Sequence, residues 1–247
     1  MNLILLERKE LSESGSVALS DARATHLLKV LNVAPGHEVR IGVIDGPRGV
    51  GTVETIADGT VTVRCALEGD APPRPAIDLL LALPRPKVMR RLWAQVAALG
   101  VGRIILTNAE KVERNYYDTH VLSPESYRPL LIEGLQQARD TRLPAVSIHR
   151  QFKVLVEDHL DALAGPALRV VADPSATSAL ADVVRGAVEE RLLLAIGPEG
   201  GWNAFELGLL AAHGFQLAGI GPRTLRSDTA CVALLALAHG AMDYCGK

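Results

Sequence analysis

Two passages near the carboxyl end carry the residues best suited to chemistry. Leu192-Leu193-Leu194-Ala195-Ile196 runs into Gly197-Pro198-Glu199-Gly200-Gly201. Leu217-Ala218-Gly219-Ile220 runs into Gly221-Pro222-Arg223-Thr224-Leu225-Arg226-Ser227-Asp228-Thr229-Ala230. Each is an apolar, strand-like run stopped by Gly-Pro and followed by a helical pattern. Two such loops can lie side by side at the ends of parallel strands, the edge at which open α/β sheets take ligands. Glycine lets the backbone approach a ligand closely, and proline fixes the turn. Glu199 can cap its turn or act as a carboxylate in a site. Arg223 and Arg226 flank a turn that a ligand could reach, although a loop arginine can equally lie in solvent. Asn203 with Glu206 reads as a helix-capping box, and Asp228 suits the start of the last helix.

Several chemistries are excluded. The loop at 197–201 lacks a Gly-Lys-Ser/Thr ending, so it is no P-loop, and Gly219-Ile220-Gly221 lacks the third glycine of a dinucleotide fingerprint. No histidines pair at metal spacing, so no metal site is expected. There is no Gly-x-Ser-x-Gly elbow and no cysteine in a nucleophile context. Two basic clusters remain. Arg85, Lys87, Arg90 and Arg91 follow an apolar strand with no acid among them, a pattern that suits phosphate contacts or a solvated helix start. Lys111, Arg114, Tyr116 and Tyr117 combine charge with aromatics that could stack on bases, or form ordinary surface.

The elements that must position these residues fall into two blocks. Residues 1–70 read as a small β-rich barrel. Met1 to Glu7 is a first strand, residues 16–19 a second, and Asp21 caps a helix with Ala24, Leu27, Leu28 and Leu31 at helical spacing. Strands at 37–44, 51–56 and 60–67 follow, with Asp58-Gly59 as the hairpin turn between the last two. Residues 71–76 form a proline-rich linker. From 77 to 247 strands and helices alternate. Strands are expected at 77–83, 103–106, 145–148 and 168–172, and helices at 88–99, 129–139, 152–163 and 175–190, before the two Gly-Pro passages and a last helix at 229–244. Near-continuous apolar strands in such alternation imply an α/β fold with a parallel sheet covered on both faces.

Composition agrees with a chain of 247 residues that is 48% hydrophobic and carries a net charge of −2. That charge excludes wholesale coating of nucleic acid but not a local basic face. No apolar run is long enough to span a bilayer, and residues 1–7, without a basic n-region or cleavage site, are expected to form a strand rather than a signal peptide. Cys65, Cys231 and Cys245 form neither a disulfide framework nor a zinc spacing, so a cytoplasmic protein without membrane attachment is expected.

Read together, the two Gly-Pro loops closely resemble those of the 16S ribosomal RNA uridine-N3 methyltransferases, of the SPOUT class of S-adenosylmethionine enzymes. Upstream segments share the resemblance: Leu99-Gly100-Val101, Ala109-Glu110-Lys111, Gln136-Gln137 with Arg142-Leu143-Pro144, and His26 to Leu31 with Pro35-Gly36. It implies a C-terminal SPOUT α/β trefoil-knot domain (77–247) and an N-terminal PUA-like β-barrel that binds RNA (1–70). It also implies S-adenosylmethionine as cofactor, cradled by three loops. The expected contacts are Ala172, Asp173 and Pro174; Ile196, Gly197, Pro198, Glu199, Gly200 and Gly201; and Ile220, Gly221, Leu225, Arg226, Thr229 and Ala230. Arg226 is then the first catalytic candidate, stabilising charge on the uracil, with Glu199 orienting the base or relaying a proton. Arg85, Lys87, Arg90, Arg91 and Lys111 are expected to meet RNA phosphates, outside the three cofactor loops. The implied partners are 16S rRNA in the small ribosomal subunit and a second copy of the chain in a homodimer. The alternatives are the same chemistry on transfer RNA or 23S rRNA, and a non-catalytic RNA-binding dimer.

Overall fold

The computed structural model describes residues 2–243; Met1, Tyr244 and Cys245, which figure in the sequence reading, lie outside them. The chain divides into two compact units, one comprising Met1–Arg74 with Ile132–Leu143 and the other Pro75–Leu131 with Pro144–Lys247. Residues 132–143, placed by sequence within the second block, thus group with the first unit.

In the first unit, strands β1 (Ile4–Leu6), β2 (Ser16–Leu19), β3 (Glu38–Val43), β4 (Arg48–Ala57) and β5 (Thr60–Glu68) form one sheet in the order β1-β3-β4-β5-β2. The β1–β3 pair is parallel and the other pairs are antiparallel. Alternation decides the faces: Val53, Val61 and Val63 turn inward while Glu54 and Arg64 pair outside. Asp58 (φ 49°) and Gly59 (φ 78°) are both left-handed, the backbone a two-residue hairpin turn requires. A register shift in β4 between Val53 and Thr55 adds local twist. Helix α1 (Ala22–Lys29) starts at Asp21, whose carboxylate accepts from the Arg23 backbone N–H at 2.9 Å. Its Ala24 and Leu27 join Leu6, Leu19, Ile41 and Val61 in the core. Leu31, expected on the same buried face, is 46% exposed because the helix ends at Lys29. The returning segment is held within this unit by the Thr141 hydroxyl, which donates to the Gly46 carbonyl at 2.7 Å.

In the second unit, strands β6 (Ile77–Ala82), β7 (Val101–Thr107), β8 (Ala145–His149), β9 (Leu168–Ala172), β10 (Leu192–Ile196) and β11 (Gln216–Ala218) form a wholly parallel sheet ordered β11-β9-β10-β6-β7-β8. The parallel sheet expected from the apolar strands is therefore present. The central strands β6 and β10 are buried at every residue, so both faces of the sheet are covered there. Each buried Leu or Ile there contributes about 1.5–3 kcal/mol relative to exposure. Strand order reverses about β6, with β7 and β8 on one side and β9 to β11 on the other. Such a reversal opens a crevice at the carboxyl edge.

The helices are α2 (Pro86–Ala98), α3 (Pro124–Ala138), α4 (Phe152–Val154), α5 (Leu160–Ala164), α6 (Leu180–Arg185), α7 (Ala204–Ala212) and α8 (Ser227–Asp243). A π-helical turn, Leu155–His159, joins α4 to α5. Two expectations need correction. Helix α3 begins at Pro124 rather than at Pro129, which lies inside it. The helix expected over 175–190 is only α6. The preceding stretch runs instead beside β11: Gly219 N–H donates to the Ser178 carbonyl at 3.0 Å, and Leu180 N–H to the Gly219 carbonyl at 2.9 Å. Backbone groups committed to a distant partner cannot make helical bonds. Helix α8 packs on α6, α2 and the strands β6 and β10.

Candidate functional site

Three loops leave the carboxyl ends of β9, β10 and β11 and meet over one pocket. In the first loop the Asp173 carboxylate accepts from the backbone N–H of Ser175 at 2.8 Å and from its hydroxyl at 2.6 Å. Asp173 N–H donates to the Ala218 carbonyl at 3.1 Å, which ties the loop to β11. Gly219 packs so closely there that a Cβ would stand 2.8 Å from the Asp173 carbonyl oxygen. The second loop turns at Pro198, whose carbonyl accepts from Gly201 N–H at 2.8 Å. It ends in the Asn203–Glu206 capping box, and the buried Glu206 carboxylate also accepts from Glu110 N–H at 2.8 Å. The acid is thus structural. The third loop crosses Gly221 at φ 110° and enters α8 at Ser227.

Among the expected cofactor contacts, Ala172, Asp173, Pro174, Ile196, Gly197, Gly201, Ile220, Gly221, Leu225 and Ala230 line the pocket. Pro198, Glu199, Gly200, Arg226 and Thr229 are not among its lining residues. Sequence reasoning missed Trp202, Gly219, Ser227, Thr224 and Leu234 as lining residues, and Arg223 joins them. The one available signal was a tryptophan placed directly after a Gly-Gly turn. Its ring lies against Gly197, where a Cβ would meet the indole Cδ1 and Nε1 at 3.0 Å. The Trp202 Nε1 and Ser227 Oγ atoms are buried and lack any hydrogen-bond partner. Apolar walls with a few polar atoms suit a flat heterocyclic ligand.

A second recess adjoins this pocket and shares Thr224 and Leu225 with it. Its other lining residues are Arg85, Lys87, Val88, Arg91, Glu199, Arg226 and Asp228. Both catalytic candidates, Arg226 and Glu199, therefore stand here. Glu199 Oε2 pairs with Arg85 Nε at 3.2 Å, and Asp228 with Arg91 at 2.7 Å. The hydrogen bond from Arg91 holds the Asp228 carboxyl below the usual carboxylate range, against the opposing effect of burial. Arg226 and Lys87 are exposed and make no ion pair among the described residues. Cations outnumber anions along the recess, so it favours a negatively charged ligand.

Two expectations about basic residues change. Arg85 and Lys111 do not stand apart from the three loops: Arg85 pairs with Glu199, and Lys111 Nζ donates to the Gly200 carbonyl at 2.6 Å. Tyr117 is not free to stack on a base. It is 8% exposed, burial pushes its phenol well up, and the Arg150 guanidinium lies 5.2 Å over its ring. Burial also pushes the Cys231 thiol up to about 12, so it stays protonated and unreactive. No described histidine lines either recess.

Comparison with known proteins follows the same lines. The RNA methyltransferase domain model matches residues 72–239. Ribosomal RNA small subunit methyltransferase E of Treponema pallidum (strain Nichols) is 31% identical over 97% of this chain and 92% of its own length. Ribosomal RNA small subunit methyltransferase E 1 of Borreliella burgdorferi is 24% identical over 94% of this chain and 95% of its own. The fold is shared with the crystal structure of a ribosomal RNA small subunit methyltransferase E from Neisseria gonorrhoeae bound to S-adenosyl methionine. That match has a TM-score of 0.77 at 20% identity and covers 97% of each chain. On the domain match and the extent of the Treponema relationship, the chain belongs to the RNA methyltransferase family that includes the ribosomal RNA small subunit methyltransferases E.

Proposed function

We propose that this chain transfers a methyl group from S-adenosylmethionine to N3 of a uridine in 16S rRNA. The observation that carries the reading is the convergence of three strand-end loops on one apolar pocket beside a basic recess, in a chain of this family. The residues fit the cofactor. Ala172, Ile196, Leu225 and Ala230 offer an apolar slot, Gly221 allows close approach of backbone, and two buried polar atoms await partners. When bound, S-adenosylmethionine supplies an electrophilic methyl on a sulfonium, without a metal.

Uridine N3–H is a weak acid and stays protonated at neutral pH. The protein must therefore align N3 with the methyl donor and favour negative charge on the ring. Arg226 supplies the positive charge that stabilises it, from a recess that opens beside the pocket. Glu199, oriented by Arg85, holds the base or passes on the proton. Lys87, Arg90 and Arg91 meet phosphates. Because N3 lies on the Watson–Crick edge, the target uridine must be unpaired or flipped out.

The second unit is read as a SPOUT trefoil knot, supported by the passage of residues 178–180 along Gly219 between the first and third loops. The first unit is read as a PUA-like barrel that binds RNA, supported by its mixed five-stranded sheet. A homodimer through α8 is supported by its exposed Val232 and Leu237. The substrate places the enzyme in the cytoplasm with the small ribosomal subunit. Calorimetric titration of chelator-treated protein with S-adenosylmethionine tests the reading. About one site per subunit is expected, and no heat or thermal shift at millimolar cofactor would sink it.

A further inference from the structure

The chain has two tryptophans, and their indole nitrogens differ. Trp93 is fully buried in α2, and its Nε1–H donates to the Val121 carbonyl at 3.1 Å. Trp202, at the end of the second loop, is 6% exposed, yet its Nε1 has no acceptor among the described protein groups. Its ring is fixed between Phe152, whose centroid lies 5.2 Å away, and the bare α-carbon of Gly197. Ser227, from the third loop, is 4% exposed, and its Oγ is likewise without a partner. Both residues line the same pocket. Buried polar atoms are nearly always hydrogen-bonded, so an orphan on a pocket wall calls for an occupant.

We infer that Trp202 reads the cofactor: its Nε1–H donates to an acceptor on the adenosine half of S-adenosylmethionine, and the Ser227 hydroxyl makes a second polar contact there. The inference rests on the cofactor reading above. The adenosine half is assigned because Ile196, Leu225, Ala230 and Leu234 share the pocket with the indole. Those walls suit a flat purine, whereas the ammonium and carboxylate of the methionyl end need charged partners, which Asp173 and Arg223 offer elsewhere in the same pocket. The selectivity expected is for a ligand with an acceptor opposite the indole, since a site built around a buried donor rejects a ligand that cannot satisfy it.

The test uses nitrogen-labelled full-length protein, whose correlation spectrum should show two indole N–H resonances. Saturating adenosine, and separately S-adenosylmethionine, should move the Trp202 resonance downfield and leave that of Trp93 in place. Trp202→Phe keeps a ring against Gly197 but removes the donor. Its affinity for both ligands should fall about tenfold, while the free variant melts no lower than the parent. Ser227→Ala should weaken adenosine binding in the same direction, by about threefold to tenfold. If S-adenosylmethionine binds by calorimetry but the Trp202 resonance stays fixed, or Trp202→Phe binds as well as the parent, the inference is wrong and the cofactor reading stands. If no S-adenosylmethionine binds at all, the cofactor reading fails and the inference with it.

Discussion

Gly221→Ala separates a glycine that the site needs from one that merely lies near it. Gly221 lines the pocket with φ at 110°, a conformation that side chains with a Cβ rarely adopt. A Cβ built there meets no protein atom within 4 Å, so the substitution strains the backbone without a clash. Holding a non-glycine residue in such a region costs about 1–3 kcal/mol. If the free loop relaxes, the whole cost appears on binding, as a loss of about fivefold to 150-fold in affinity for S-adenosylmethionine. If the free loop stays rigid, the cost appears as lost folding stability instead. Calorimetry and thermal melting together should therefore account for about 1–3 kcal/mol, however it is divided. Gly200→Ala is the control. Gly200 has no positive φ, does not line the pocket, and would meet first the Lys111 Cδ at 2.7 Å, the flexible part of an exposed side chain. Its affinity should stay within about threefold of the parent, because a surface substitution of this kind costs about 0.5 kcal/mol or less. The reasoning is refuted if Gly221→Ala loses neither affinity nor stability, or if Gly200→Ala loses as much.

Arg226→Ala should leave cofactor and RNA affinity within about tenfold yet slow methyl transfer by on the order of a hundredfold, as loss of a transition-state charge partner does; unchanged turnover with labelled cofactor would remove Arg226 from the chemistry. Lys87→Ala and Arg90→Ala should each lower the salt slope of RNA affinity by about one unit, and a titration across salt concentrations showing parallel slopes would deny them phosphate contacts. In the first unit, hydrogen bonds from the Arg23 guanidinium hold the Glu10 and Asp21 carboxyls below their ordinary values. Depressed carboxyls contribute stability above their unfolded values, near pH 4, and lose it as pH falls through the folded ones. Melting temperature should accordingly drop as pH falls below about 4.5, and less so in Arg23→Ala, whose melt is already lowered at neutral pH; equal acid slopes for the two proteins would show that these pairs do not matter. Light scattering at micromolar concentration should give a dimer, and a monomer would leave α8 with another role.

Local chemistry was readable where it closes on itself. The Asp58-Gly59 turn, the Asp21 cap and the Asn203–Glu206 box each involve residues within a few positions of one another. The buried strands were also readable, since unbroken runs such as Ile77–Ala82 fit a parallel sheet. Misreadings came where distant segments decide. Residues 176–179 have helix-compatible types, but Gly219 claims the Ser178 carbonyl and the Leu180 N–H, which draws this stretch alongside β11. Pro129 looked like a helix start, yet Ser123 precedes the helix and the Tyr127 N–H already bonds to its carbonyl at 3.0 Å. Tyr117 sits in a basic run but faces the core. At the site, the glycines showed where a pocket could form. Which side chains turn into it was not written locally: Arg226 and Glu199 face the basic recess, while Trp202 and Ser227 line the slot. That division depends on how α2 meets the second and third loops through Arg85 and Arg91, a contact between residues far apart in the chain.

The central claim is N3 methylation of a 16S rRNA uridine, and nucleoside analysis of the product tests it most directly. Small ribosomal subunits from a strain lacking the gene are incubated with the protein and S-adenosylmethionine carrying a labelled methyl group. Their 16S rRNA is then digested to nucleosides and resolved by chromatography with mass detection. The account predicts label in 3-methyluridine, at about one equivalent per subunit particle when one uridine is the target. Label in any other nucleoside, or none in 16S rRNA while transfer RNA or 23S rRNA is labelled, would contradict it.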